Sequence, residues 1–360
     1  MATLELPLSR AAQVRFSERD YGDGATWWIQ ATAGVNYVRA ELPARHFPGK
    51  TLALNPDDLQ EDDEGEVVVP RQAGPAFWLF PGNTTRALIM VQLKNLGHKV
   101  FVELDDNYMV QPPVRATWSW LVDRDKTAGD RHSFEVHKHI VRKIADGVIV
   151  STERLADLYR PLNDNVHVCR NSVDTDDWDD DPPHQDDGIL RIGWAGSASH
   201  KYDLVDIRLA LDWASRQPNV EIVLLGFEEV LGTMLTLPNV RFVPWTTSLA
   251  DYRESVKQVD VMLCPNRAGE WSDCKSDLKA LEAAMAGACA VVSETEPFRP
   301  WWTGEAPGYS ATTPSEFLNV VKHLVGNREE VRQTATLARG YALEHRNIRH
   351  TISEWRDAVG

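Results

Sequence analysis

Apolar positions along the chain follow two periods. Runs such as Ala76–Phe80 (AFWLF), Lys99–Leu104 (KVFVEL) and Gly147–Val150 (GVIV) are short and almost wholly apolar, as strands buried on both faces are. A further strand is expected near Trp27–Ala31 and another over Val166–Cys169. Between them lie stretches with helical spacing: Thr84–Leu96, stopped by Gly97, then Phe134–Ala145, then Ser151–Tyr159 with Ser151 or Thr152 as its cap. Strand–helix alternation of this kind predicts a parallel, doubly wound sheet.

The pattern restarts in the second half. Ile189–Trp194, Val220–Gly226, Val240–Pro244, Val259–Cys264 and Ala288–Ser293 read as strands. Tyr202–Gln217, Ser248–Gln258 and Ser276–Ala286 read as helices, the last stopped by Gly287. Helices over Pro314–Val325 and Arg328–Val359, the second open to a break, finish the chain. The fold class is therefore α/β, with two doubly wound Rossmann-like domains facing a central cleft. The expected division is 1–180 for the acceptor-side domain, 181–188 for a linker containing Pro182, Pro183 and Gly188, and 189–340 for the second domain. A C-terminal helix over 341–360 is expected to pack back on the first domain. No internal repeat is present.

Charge changes this picture in one respect. Lys plus Arg is 38 and Asp plus Glu is 53, a net charge of -15 over 360 residues. Seven acids fall in Asp57–Glu66 and eight in Asp174–Asp187, both without Lys or Arg, which leaves 38 acids against 38 bases elsewhere. The first run reads as a surface loop, the second as a hydrated, self-repelling hinge. No basic face for duplex nucleic acid is expected, nor a polybasic lipid anchor. No run of about 18 apolar residues suggests a membrane span, and the first residues lack a signal-peptide core. Cys169, Cys264, Cys274 and Cys289 have no metal-ligand spacing. A reduced, cytoplasmic protein without a bound metal is the expectation. The sequence does not set an oligomeric state.

Several blocks together resemble the GT-B nucleotide-sugar glycosyltransferases, in the broad group called family 4 or glycosyl transferases group 1. They are GVNYVRAELPARHFPG (34–49), GHKVFVELDDNYM (97–109), IADGVIVSTERLADLYR (144–160), VCRNSVDTDDW (168–178), RIGWAGSASHKYDL (191–204) and KSDLKALEAAMAGACAVVSE (275–294). The resemblance runs from about Ala33 to the C-terminus. It implies transfer of a sugar from a nucleotide-diphosphate sugar, with retention of configuration, no metal, and no cofactor beyond that co-substrate. It also implies that Glu282 holds the two ribose hydroxyls, a task that suits a bidentate acceptor. In two places the chain departs from the family. Cys274 stands where many members carry a Glu that touches the donor sugar, and Ser197 stands where a basic residue often follows the first glycine of the loop. Donor-sugar identity is not carried over.

The chemistry needs positive charge where a diphosphate leaves. A helix N-terminus with basic side chains supplies it. Gly196, Ser197, His200 and Lys201 follow a strand and open a helix; the same loop also reads as an ordinary capped turn. Lys275 and Lys279 are four apart and expected on one helical face, with Glu282 three further on. The bland alternative is a solvated Lys–Glu pair, but the apolar run Ala280–Ala290 predicts a buried helix, where a lone Glu needs a partner. Arg267 is a further phosphate candidate. Asp105 and Asp106 close the KVFVEL strand and so point into the cleft. One of them is expected to accept the acceptor hydroxyl's proton; a Mg²⁺ site and a local turn with Asn107 are the other readings. Gly34, Asn36 and Arg39 open a helix, and the resemblance puts their loop on the acceptor side. Arg131, His132 and His137 fall near the same cleft by sequence. Trp271, Trp301 and Trp302 flank the donor block, either as sugar-stacking rings or as packing.

The expected function is glycosyl transfer to a soluble acceptor hydroxyl on a protein, small molecule or glycan; nucleic acid is not the expected partner. An epimerase or phosphorylase on this fold is the enzymic alternative, and a non-catalytic nucleotide-sugar-binding module the other. No G-x-G-x-x-G follows a strand with an acid about 20 residues on, which disfavours a dinucleotide dehydrogenase.

Overall fold

The computed structural model describes residues 14–20, 24–29, 33–54, 67–71, 74–79, 84–110, 135–179, 187–196, 200, 202–226, 237–246 and 248–360. The acidic run 57–66 lies outside them, as do Ser197, Lys201, Arg131 and His132. In chain order the strands are β1 (Val14–Asp20), β2 (Thr26–Trp28), β3 (Leu52–Leu54), β4 (Val67–Arg71), β5 (Ala76–Leu79), β6 (Val100–Leu104) and β7 (Gly147–Val150). They continue with β8 (Val166–Val168), β9 (Leu190–Gly196), β10 (Val220–Gly226), β11 (Val240–Pro244), β12 (Val261–Cys264), β13 (Cys289–Ser293) and β14 (Tyr309–Ala311).

Two parallel six-stranded sheets result. One has the order β3-β2-β5-β6-β7-β8 and the other β11-β10-β9-β12-β13-β14, while β1 and β4 pair apart from both. The all-apolar strands are buried on both faces, as continuous rather than alternating hydrophobicity requires. In the first sheet Trp28 stacks on Trp78 with centroids 4.3 Å apart. On the other face Trp27, Phe77 and Phe101 pack with Trp355 of the last helix.

Most expected elements are present, with shifted ends. The helix read from Ser276 begins at Leu278 and ends at Met285. Thr152 caps Glu153–Tyr159, its Oγ1 accepting from the Leu155 amide at 3.3 Å. Gly97 and Gly287 follow helices with φ of 91° and 80°, a conformation that favours glycine. The long final stretch divides into Arg328–His345 and Ile348–Val359. At the break the Val173 amide donates to Arg346 O at 2.9 Å and the Ile348 amide to Val173 O at 2.8 Å. Ile348–Val359 thus buries Ile348, Ile352, Trp355 and Ala358 in the first domain's core.

The described acids of the second run do not simply repel one another. Each of its described acids has a basic partner: Asp174 pairs with His46 at 2.8 Å, Asp176 with Arg349 at 2.7 Å and Asp177 with Arg45 at 3.0 Å. Asp179 pairs with Lys257 at 2.7 Å and Asp187 with Arg191 at 2.5 Å. The partners come from both halves of the chain, so the run ties elements together. Sequence spacing hides this because none of the cations except Arg191 is near the run in sequence.

Candidate active site

The second sheet runs outward from β9 in both directions, to β10 on one side and β12 on the other. Such a switch point leaves a crevice beyond the carboxyl ends of the two strands. A cavity of about 300 Å³ opens there. Its walls are His200, Tyr202 and Asp203 beyond β9, the 266–272 segment and Lys275 beyond β12, and Val110 from the first domain. It therefore lies between the two domains.

Gly196 ends β9, and a Cβ there would come within 2.5 Å of the Trp194 ring, so position 196 has no room for a side chain. His200 Nδ1 sits 2.8 Å from Asp203 Oδ2. Burial, assisted by the charge of Lys279, holds its imidazole down to about 4, so it is neutral near pH 7. The Lys279 ammonium lies 5.6 Å from the Trp194 ring centroid, and burial lowers its pKa. Lys275 precedes the helix in extended conformation and does not share a helical face with Lys279. The two are brought near each other by the fold instead, near enough for each lysine to help hold the His200 imidazole down.

Glu282 turns elsewhere. It lines a smaller crevice with Tyr37, Val38 and Arg253, and its Oε2 accepts from the Tyr252 hydroxyl at 2.9 Å. Burial raises its pKa to about 7 against that hydrogen bond. Tyr252 is the partner that a buried lone Glu requires. Arg267 is committed to Asp206, through bonds of 2.9 and 3.0 Å.

Asp105 and Asp106 follow β6 directly. Lys275 donates to Asp106 Oδ1 across the domain boundary. Asp105 Oδ1 is buried and accepts no hydrogen bond among the described residues. Burial first, and the neighbouring Asp106 charge second, push Asp105 up to about 6. The same seam holds contacts that the sequence did not suggest. Asn107 Nδ2 donates to Glu270 O at 2.8 Å, Thr152 Oγ1 to Cys274 O at 3.1 Å and Asn171 Nδ2 to Ser276 Oγ at 2.7 Å. Arg346 grips both oxygens of Asp277, at 2.8 and 2.9 Å, and donates to Asn171 O at 2.6 Å. Every one of these ends on the segment 270–277 or its immediate support. Only the polar turn after β6 carried a local signal of them; the rest is tertiary.

Cys274 is fully buried within the first domain's apolar cluster, beside Trp271, and does not line the cavity. Glu270, four residues earlier, does. Trp271 also lines it, with the Lys275 ammonium 4.6 Å from its ring centroid. Trp301 is core, its Nε1 donating to Asp277 at 3.1 Å. Gly34 and Asn36 lie on the helix Ala33–Asn36 rather than on a loop, and Arg39 on the π turn that continues it. Arg39 is fully buried. It donates to Glu103 Oε1 at 2.5 Å, to Cys169 O at 2.6 Å and to Asn171 Oδ1 at 2.8 Å. The structure thus gives Arg39 a charged partner in mid-strand. Burial pushes Glu103 up to about 7, with Arg39 opposing the rise. His137 is buried 3.2 Å from the Tyr159 hydroxyl, and burial lowers it to about 3.

No protein-family model and no curated protein matches the chain. Solved structures do. HepE of Anabaena, in complex with UDP and glucose, aligns with a TM-score of 0.63 at 10% identity over 92% of this chain and 98% of that one. Sucrose-phosphate synthase from Thermosynechococcus elongatus gives 0.55 at 14% identity, over 92% and 97%. TarM gives 0.58 at 15% identity over 79% of this chain, which spans only 54% of TarM's length. With two parallel six-stranded sheets and a cleft between them, the chain has the fold of the GT-B glycosyltransferases.

Proposed function

We propose that the protein transfers a sugar from a nucleotide-diphosphate sugar to an acceptor hydroxyl. The observation that carries this reading is the cavity between the domains at the switch point, walled by Lys275 and the neutral His200, with the Lys279 ammonium near both in the first turn of the following helix. Charge of that sign suits a diphosphate leaving group. The kinship in fold to HepE, solved with UDP and glucose and with UDP-glucose, supports the same donor class. Ammonium groups at the cleft support a metal-independent departure; retention of configuration rests on the resemblance alone. In this reading Gly196, Ser197, His200, Lys201, Lys275 and Lys279 hold the diphosphate; the ribose role of Glu282 rests on the resemblance alone, since Glu282 lines the other crevice and holds Tyr252. Asp105 and Asp106 stand near the reacting carbon, and Gly34, Asn36 and Arg39 support the acceptor side. Arg39 acts there only through Glu103 and Asn171, being sealed from solvent. The acceptor in this reading is a soluble hydroxyl on a protein, small molecule or glycan; no helix among the described residues is long and apolar enough to cross a membrane. Four free, buried thiols accord with a reducing, cytoplasmic setting. Closure of the domains over the cavity orients the reactants and excludes water.

The test is incubation with UDP-, GDP-, ADP- and dTDP-sugars and candidate acceptors while nucleotide release is followed. Acceptor-dependent release from one donor is expected. Binding without release identifies a non-catalytic module, and a chain that binds no donor overturns the reading.

A further inference from the structure

Lys275 and Lys279 are served unequally. Lys275 is held by Asp106 from the opposite domain. Lys279 has a ring beside it but no hydrogen-bond acceptor among the described residues, and burial disfavours its charge. Asp106 brings one carboxylate to one lysine. A diphosphate in the adjoining cavity brings more negative charge and more oxygens, enough to engage both. The Asp106 and Lys275 side chains are 16% and 23% exposed, so the pair is partly open to an incoming anion. Exchange would also leave Asp106 beside Asp105, whose Oδ1 has no donor among the described residues.

We propose that Asp106 is a positioning residue that occupies the diphosphate's place on Lys275, and that donor binding exchanges this carboxylate for phosphate. This rests on the nucleotide-sugar reading. The exchange does not require the domains to part, because the bonds Asn107–Glu270, Thr152–Cys274 and Asn171–Ser276 cross the same seam without Asp106. It makes Asp106 a competitor of the substrate. A purely structural tie would make it a helper. The two roles predict opposite signs when the charge is removed.

The experiment is calorimetric titration of the full chain with UDP, and separately with inorganic pyrophosphate, at fixed pH and salt. Asp106→Asn keeps the shape and removes the competing charge. A partly exposed ion pair is worth up to about 1 kcal/mol, so both probes should bind about two- to fivefold more tightly. Lys275→Met should weaken both probes, and adding Asp106→Asn to it should give no gain, because the competition acts through Lys275. Unfolding midpoints of each variant show that the fold is kept. Unchanged or weaker binding by Asp106→Asn, or an equal gain in the Lys275→Met background, overturns the exchange. A wild-type chain that binds neither of these probes, nor GDP, ADP or dTDP, overturns the nucleotide-sugar reading, and the exchange with it.

Discussion

Asp277→Asn and Arg346→Met attack a deeply buried ion pair of the second half of the chain, at the point where Arg346 also bonds to Asn171 of the first. The two side chains are 5% and 6% exposed and share two hydrogen bonds, and Arg346 makes a third to Asn171 O. Asp277 also accepts from the Trp301 indole. Removing either charge strands the other in a nearly dry site, which costs about 3–5 kcal/mol. Removing both at once strands neither, so the double variant should lose about 2 kcal/mol less than the two single losses added together. The assay is urea unfolding followed by tryptophan fluorescence and by circular dichroism, because the 13 tryptophans are spread over both domains. The two probes should part in the single variants if the second domain loosens first. Arg332→Ala is the control: its pair with Glu329 is 49% and 67% exposed, so it should stay within about 0.5 kcal/mol of wild type. Single losses below about 1 kcal/mol, or a double variant equal to their sum, would refute the assignment of a buried, coupled pair.

Trp355→Ala should cost about 3–5 kcal/mol and expose the Trp27–Phe77 face, read as dye binding at sub-denaturing urea; a loss under 1 kcal/mol by the same measure would leave the last helix without a packing role. Glu282→Gln should weaken UDP binding while leaving pyrophosphate binding alone, as a ribose ligand must; equal losses for both probes would contradict that role. Glu103 has its pKa raised to about 7 in the folded chain, so its contribution is complete below the ordinary carboxylate pKa and is lost as pH rises through 7. Wild type should therefore lose about 2 kcal/mol between pH 5 and 8 relative to Glu103→Gln, measured by urea midpoints. Burial pushes the Cys264 and Cys289 thiols up to about 12 and Cys274 to about 11, so a thiol reagent at pH 8 should find no reactive cysteine before unfolding and all four after it.

How far the sequence reached depends on how local each signal was. Strands such as GVIV and helices such as Glu153–Tyr159 are written in neighbouring residues, and they appear where the pattern puts them. Three-residue edge strands such as Tyr309–Ala311 are too short to show a period, and β1 and β4, with their charged and proline positions, lacked one. At the site, the acids after β6 and the lysines at the start of the Leu278–Met285 helix were legible because strand ends and helix starts define the cleft. Their partners were not. Asp106 meets Lys275 across 169 positions, and nothing near Asp106 announces it. Arg39 illustrates the same limit: its charge demanded a partner, but Glu103 lies within an otherwise apolar strand. Cys274 as a substitution for Glu was visible, whereas its burial against the other domain was not.

The helix Ile348–Val359 gives Trp355 to a sheet built from residues before 170. On the ribosome, that sheet emerges long before its cover does. The early half must wait with Trp27 and Phe77 uncovered, in the time window when chaperones and stray chains compete for such surfaces. Maturation is thus tied to completion of the second domain, and a chain cut at residue 180 would be a poor stand-in for the first domain.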